Sequence, residues 1–305
     1  MRVFMTGASG WIGTAVAPML VETGHSVVGL ARSDEAAAAV AGAGADVRRG
    51  AIEDLDVLGE EAAAADGVIH LAFIHDFSSL EAMAASAEAD RMAIEALGAA
   101  LEGSGKPLLI ASGLLGLEAE GAVATERAPA QPSPRGRNAA LTVSLADRGV
   151  RSAVVRLPPT VHGRGDAGFV PMLIAIARDH GVSAYIADGA TRWSAVHRLD
   201  AARVFALGLE RAAPGSVLHA AADEGIPTRE IAGAIGRHLA VPVTSVAPEA
   251  ALEHLGFMAF VLQMDGAASS TWTREALGWE PTEVGLLEDL ELGHYFEATA
   301  DAITS

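Results

Sequence analysis

The first thirteen residues constrain this chain most: a short apolar run, Val3-Phe4-Met5, passes through Thr6 into Gly7-Ala8-Ser9-Gly10-Trp11-Ile12-Gly13. Glycines at Gly7, Gly10 and Gly13, after a strand and before a helix, make a phosphate cradle. Gly7 permits the tight turn, Gly10 lets the backbone approach a pyrophosphate, and Gly13 lets the helix pack closely on the strand. The helix N-terminus adds unpaired N–H groups and a positive dipole end. Ala15, Val16, Met19 and Leu20 give that helix an apolar stripe, Gly24 ends it, and Ser26 to Leu30 reads as a second strand. The motif therefore opens a β-α-β unit. Thr6, Gly7, Ser9, Gly10, Trp11, Ile12 and Gly13 are its candidate dinucleotide contacts.

Apolar runs alternate with helical segments along the chain, the pattern of a parallel sheet built from β-α-β units. Strands are expected near 2–6, 26–30, 46–49, 67–71, 107–111, 152–157 and 216–220, with helices over Leu80 to Leu101, Asn138 to Arg148 and Asp200 to Glu210 among those between them. The alanine tracts at Ala36 to Ala39 and Ala62 to Ala65 fall where crossover helices belong. After Arg156 the pattern breaks at Pro158 and Pro159, and Gly163, Gly165 and Gly168 make an irregular loop. The expected fold is α/β: a doubly wound parallel sheet formed by residues 1–158 plus 200–221, covered by a smaller, interrupted region of 159–199 plus 222–305. Ligands of such sheets bind outside the carboxyl ends of the strands, so the second region is expected to cover the substrate.

Composition narrows the function. A chain of 305 residues that is 50% hydrophobic can fill a large core, and a formal net charge of −18 argues against a nucleic-acid partner. With no cysteine there is no disulfide, thiolate nucleophile or cysteine metal site. No His-x-His or His-Glu-x-x-His spacing occurs, so no metal is expected. Lys106 is the only lysine and sits in a Gly-Ser-Gly-Lys-Pro loop. The chain opens directly on a core strand, and no apolar run reaches the roughly 18 to 20 residues of a membrane span. A soluble, cytoplasmic protein of small-molecule substrates, with no membrane partner, is expected.

The tip of the second strand separates NAD from NADP, because a carboxylate there bonds the ribose 2′-hydroxyl and repels a 2′-phosphate. Here it reads Leu30-Ala31-Arg32-Ser33, and a guanidinium suits a phosphate dianion. NADPH/NADP+ is therefore expected over NAD, with Arg32 and Ser33 as contacts. The alternative is a solvated Arg32, with Asp34 or Glu35 reaching the ribose.

Four ordered segments carry a family resemblance: Thr6 to Gly13, Val68-Ile69-His70-Leu71-Ala72, Val154 to Gly163, and Ser194-Ala195-Val196-His197-Arg198-Leu199-Asp200-Ala201-Ala202. Over nearly its whole length the chain resembles the extended and atypical short-chain dehydrogenases/reductases, and more narrowly the NAD-dependent epimerase/dehydratase group. The resemblance implies a Rossmann-type domain, a nicotinamide cofactor, a homodimer, and a serine-tyrosine-lysine catalytic set. It adds Leu71, Ala72, Phe73, Pro158 and Thr160 to the cofactor contacts. The serine matches Ser112, whose hydroxyl either meets substrate or caps the loop backbone.

The tyrosine and lysine have no match. The family's pair lies four residues apart at the start of the helix that here begins after Pro132-Ser133-Pro134-Arg135-Gly136-Arg137-Asn138, and counting back from Gly149 sets Gln131 and Arg135 in those slots. Tyr185 is the first tyrosine of the chain, so no register restores the pair. Arg135 retains the capacity to bond the nicotinamide ribose, but neither it nor Gln131 supplies a proton to an alkoxide. Substitute donors are His75, beside Asp76 at the carboxyl edge of the fourth strand, and His162, in the loop after Pro158-Pro159. Tyr185, Arg192 and Trp193 are candidate substrate contacts flanking Asp188-Gly189. The expected activity is an NADPH-dependent oxidoreductase with a non-standard proton donor, reducing a small ketone or aldehyde, or an imine or activated alkene. A catalytically silent dinucleotide sensor is the alternative, followed by a sugar-nucleotide-type epimerase or dehydratase.

Overall fold

Strand β1 (Arg2–Thr6) buries Val3, Phe4 and Met5 completely, because both faces of a parallel sheet are covered by helices. The structure is a computed structural model describing residues 1–76, 79–118 and 123–297. After β1 come α1 (Gly13–Glu22), β2 (Ser26–Ala31), α2 (Asp34–Gly42), β3 (Asp46–Arg49), α3 (Leu55–Ala64), β4 (Gly67–His70) and α4 (Leu80–Leu101). Next are β5 (Pro107–Gly113), α5 (Pro134–Ser144), β6 (Arg151–Leu157), β7 (Thr160–His162), α6 (Phe169–His180), β8 (Ser183–Ile186) and β9 (Arg192–His197). The described chain continues with α7 (Arg198–Arg211), β10 (Ser216–His219), β11 (Asp223–Pro227), α8 (Thr228–Leu239) and β12 (Val243–Val246), then short helices.

Seven parallel strands form the main sheet in the order β10-β6-β5-β4-β1-β2-β3. The order reverses between β1 and β4, and that switch point is where the glycine loop leaves β1. Side chains alternate across it. Val3 and Met5 join Val16, Leu20, Phe205 and Leu209 on one face, while Phe4 joins Leu58, Val68, Ile94 and Leu97 on the other. Each large apolar side chain so buried contributes about 1.5–3 kcal/mol before entropy is counted.

The second layer is built on two small sheets, β11-β9-β7 and β12-β8, around Val170, Ile174, Trp193, Ile235 and Leu286. Helix α7 returns to the main sheet, with Phe205 and Leu209 in its core. One boundary differs from the sequence expectation in a way that matters. The helix anticipated from Asn138 starts at Pro134, and a short 3-10 turn, Leu145–Arg148, completes its end. Ser133 is the N-cap, its Oγ accepting the Gly136 N–H at 3.0 Å, and Pro134 opens the first turn with its fixed φ. Among the described residues no helix is long and apolar enough to cross a membrane.

Candidate active site

The glycine loop has the geometry its spacing requires. Gly7 adopts φ +68°, and a Cβ there would lie 2.6 Å from the Ala72 nitrogen. A Cβ on Gly13 would collide with the Gly7 carbonyl oxygen, and one on Gly10 would approach that oxygen to 3.2 Å. No side chain caps the start of α1, and the N–H groups of Trp11 and Ile12 have no acceptor among the described residues. This is a cradle that fits an anionic pyrophosphate. Trp11 closes one side: its Nε1 donates to the Val161 carbonyl at 2.8 Å and Arg198 stacks 4.5 Å from its ring.

Ser9 is half-buried with no partner among the described residues, whereas the Thr6 side chain is fully buried and turned away from the loop. With His70 Nε2 donating to Asp90 Oδ1 at 3.1 Å, His70 Nδ1 accepts the Thr6 hydroxyl at 2.7 Å. Thr6 Oγ1 in turn accepts the Ala72 N–H at 3.2 Å. Asn138 of α5 completes the chain, donating from Nδ2 to Asp90 Oδ2 at 2.7 Å and to the Ala87 carbonyl at 2.8 Å. A continuous buried network thus runs from the root of the cradle to α5. At the β2 tip Arg32 is exposed without a partner among the described residues, Ser33 caps α2 by accepting the Ala36 N–H at 3.1 Å, and Asp34 is paired with Arg49.

Next to the cradle lies a cavity of about 340 Å³ whose walls are mostly apolar: Phe73, Ile74, Met83, Ala87, Leu115 and Leu117 contribute, with Ser112, Gln131, Arg135 and Arg156 as polar groups. Arg135 stands in the first turn of α5 with its guanidinium carbon 4.2 Å from the Phe73 ring centre. Its Nε is buried without a partner, and burial lowers the guanidinium pKa against the opposing field of Asp90. Ser112, at the end of β5, is 7% exposed. Because the helix starts at Pro134, the cavity-lining residues four apart at its start are Arg135 and Ala139. Gln131 precedes the helix and donates from Nε2 to the Leu115 carbonyl.

Arg156 carries no mark in the sequence beyond being an arginine inside the apolar run Ala153-Val154-Val155-Arg156-Leu157. It is buried, and its Nη1 donates to the Ala128 carbonyl at 2.9 Å and faces His219 Nε2 at 3.4 Å. Burial, then the Arg156 charge, push the His219 imidazole down to about 3, so it is neutral; its Nδ1 donates to the Ser269 carbonyl at 2.9 Å.

The substitute donors and substrate contacts are dispersed. His75 is exposed, stands edge-on to Phe73 at 5.2 Å, and is held below its ordinary value by partial burial and by the Arg135 charge. His162 lies in β7, not in a loop: it is completely buried and bonds Asp289 Oδ2 from Nδ1 at 2.9 Å, away from the cavity lining. That carboxylate also bonds His294 Nε2 at 2.8 Å, and those two hydrogen bonds hold the Asp289 carboxyl below its ordinary value against burial. Trp193 is a fully buried core residue of the second layer, 6.0 Å from Phe169. Arg192 is paired with Asp265 at 2.5 Å, and Tyr185 lines a separate groove with Arg229. None of these three lines the Ser112 cavity, because the second layer packs them elsewhere. Pro158 and Thr160 are buried, the Thr160 hydroxyl without a partner among the described residues, while Leu71 and Ala72 are half-buried beside the cradle. Among the described residues no cluster of three or more His, Cys, Asp or Glu side chains stands ready for a metal ion.

The sheet order and its glycine cradle define a Rossmann-type dinucleotide fold. Residues 3–221 match the NAD dependent epimerase/dehydratase family, and the chain belongs to it. An uncharacterized protein of Schizosaccharomyces pombe is 48% identical over 298 residues, covering 97% of this chain and all of its own length. A 4-hydroxy-2-methyl-3-oxo-4-farnesyl-3,4-dihydroquinoline-1-oxide ketoreductase of Stigmatella aurantiaca is 29% identical over 195 residues, 58% of this chain and 55% of its own. Among solved structures, the Thermus thermophilus UDP-glucose 4-epimerase in complex with NAD superposes with a TM-score of 0.74 at 22% identity, over 98% of this chain and all of that one.

Proposed function

We propose that the protein is a nicotinamide-dinucleotide-dependent reductase of small apolar carbonyl compounds, with NADPH as the preferred cofactor. The single observation that carries this reading is a shared wall. The Ala72 N–H is bonded to Thr6 at the root of the cradle, and the next residue, Phe73, lines the cavity with Ser112 and Arg135. Residues 7–13 hold the pyrophosphate, and a bound reduced nicotinamide supplies hydride. Ser112 donates a hydrogen bond to the carbonyl oxygen, and Arg135 presents fixed positive charge to the same space. The aliphatic lining favours an apolar substrate over a polyhydroxylated sugar nucleotide. The free Arg32 and the pairing of Asp34 with Arg49 favour a 2′-phosphate.

Titration of the purified protein with NADPH and NADH, followed by a turnover panel of ketones, aldehydes, imines and enones, tests the reading. Binding with turnover supports it; bound dinucleotide with no turnover of any class defeats it. The second reading, a dinucleotide sensor, draws on the sequence of α5, Pro134–Ser144, which contains neither a tyrosine nor a lysine. Tight, redox-selective binding without turnover would favour it.

A further inference from the structure

Among the described residues the cavity carries hydrogen-bond donors but no group positioned to release a proton at neutral pH. Gln131 is an amide and a guanidinium keeps its proton, so neither it nor Arg135 nor Arg156 is an acid there. Asp76, which also lines the cavity, is an acceptor when ionised. His75, next to it in the chain, is shifted toward its neutral form by partial burial and by the Arg135 charge. Arg135, in contrast, makes no hydrogen bond and has no carboxylate within ion-pair distance among the described residues. Its counter-charge is Asp90, whose two carboxylate oxygens are already taken by His70 and Asn138. A flat cation stacked on an aromatic ring in an apolar cavity, with its donors unspent, is a seat for a flat, delocalised anion.

We infer that Arg135 seats an enolate oxygen, and that the substrates are α,β-unsaturated ketones or aldehydes reduced across the carbon–carbon double bond. The inference rests on the reductase reading above and deepens it. Hydride addition at a carbonyl carbon leaves an alkoxide, a localised strong base that needs an acid as it forms. Hydride addition at the β carbon instead moves the alkene pair between the α carbon and the carbonyl carbon, and the carbonyl pair onto oxygen. The resulting enolate spreads its charge over oxygen and α carbon, so a fixed cation suffices to hold it. Water then gives a proton to the α carbon. The sum is one hydride and one proton added across the double bond, with one reduced nicotinamide oxidised.

The seat can be read without cofactor. 4-Nitrophenol is flat and apolar, its anion is delocalised like an enolate, and its ionisation is visible by absorbance. With the protein alone, the expected result is that the phenolate binds at least about tenfold tighter than the phenol, so the bound midpoint falls. Arg135→Met is expected to erase that preference and Arg135→Lys to restore part of it. An unshifted or raised midpoint in the unaltered protein, or a preference that survives Arg135→Met, overturns the inference. Because Arg135 has no hydrogen bond to lose, Arg135→Met is expected to keep the thermal midpoint. Should it fail to fold, Asp90→Asn decides: loss of the counter-charge strengthens phenolate binding if the inference holds, and weaker binding overturns it.

Product analysis then separates the two levels. With NADPH, 2-cyclohexenone and cinnamaldehyde are expected to give the saturated carbonyl compounds. Allylic alcohols as products overturn the enolate seat and leave the reductase reading intact. Absence of turnover for every carbonyl class defeats the reductase reading, and the nitrophenol titration still decides what Arg135 seats.

Discussion

The dinucleotide cradle and the neighbouring cavity are built from different materials. The cradle is backbone from seven consecutive residues, shaped by three glycines and an uncapped helix start. The cavity is side chains from separated segments, with Phe73 after β4, Met83 on α4, Ser112 on β5, Arg135 on α5 and Arg156 on β6. Backbone N–H groups bind any phosphate in the same way, so the cradle is indifferent to the chemistry that follows. On the proposed reading, selectivity among substrates rests with the cavity. Arg135 and Arg192 make the same point within one residue type. Arg192 is satisfied by Asp265 and fixes the second layer, while Arg135 lacks such a carboxylate and faces the cavity.

The sharpest way to break the comparison is to put a side chain where the backbone must pass. Gly13→Val would drive Cβ into the Gly7 carbonyl, and neither backbone segment can yield without moving the loop. Dinucleotide affinity is expected to fall more than about 100-fold, measured by calorimetry. Nitrophenol binding in the cavity is expected to change little, and a parallel loss there would show the two regions to be one unit. Where they do join is the buried network from Thr6 to Asn138. Asp90→Ala leaves the His70 Nε2–H and one of the two Asn138 amide protons without an acceptor, a loss of about 2–4 kcal/mol in unfolding free energy. Denaturant titration would measure it.

This division also explains what could be read from the chain. Glycine spacing, strand periodicity and the order of β-α-β units depend on residues near one another in sequence, and the seven-stranded sheet follows from them. Ser112 is legible because it ends a strand. Arg135 is legible as a candidate, whereas the start of its helix is not: the Ser133-Pro134 start signal sets it four residues ahead of the expected Asn138. Leu115, Leu117 and Met83 carry no local mark of cavity lining. His162, Trp193 and Arg192 look like ligand contacts in sequence, and only tertiary packing gives them Asp289, Phe169 and Asp265 as neighbours. Partnering, which sequence does not reveal, separates structural charge from available charge.

Acid sharpens the comparison from the other side, since residues 7–13 contain no ionisable side chain and the cavity rests against one. His219 behind Arg156 has a folded pKa lowered to about 3, against an ordinary value of 6.5. Between those values the unfolded chain binds the extra proton, so this contribution is complete above pH 6.5 and is lost as pH falls toward 3. The slope is at most about 1.4 kcal/mol per pH unit. Asp289, whose carboxyl is depressed, adds a further loss only below its ordinary value of 3.8. Unfolding measured from pH 7 to 4 is expected to show the first slope, and His219→Asn to flatten it. An unchanged slope in the variant would remove His219 from the account.

The smallest expected effect lies at the cradle's far edge, where a side chain does add selectivity to a backbone site. Arg32 is exposed and unpaired among the described residues, and its acidic neighbour Asp34 is held by Arg49. A guanidinium there attracts a 2′-phosphate dianion and gains nothing from a 2′-hydroxyl. Arg32→Ala is therefore expected to weaken NADPH about tenfold while NADH stays within about twofold. If both weaken together, Arg32 is not reading the phosphate. If NADH already binds the unaltered protein more tightly, the preference for NADPH is reversed and the carboxylate of Glu35 becomes the residue to test.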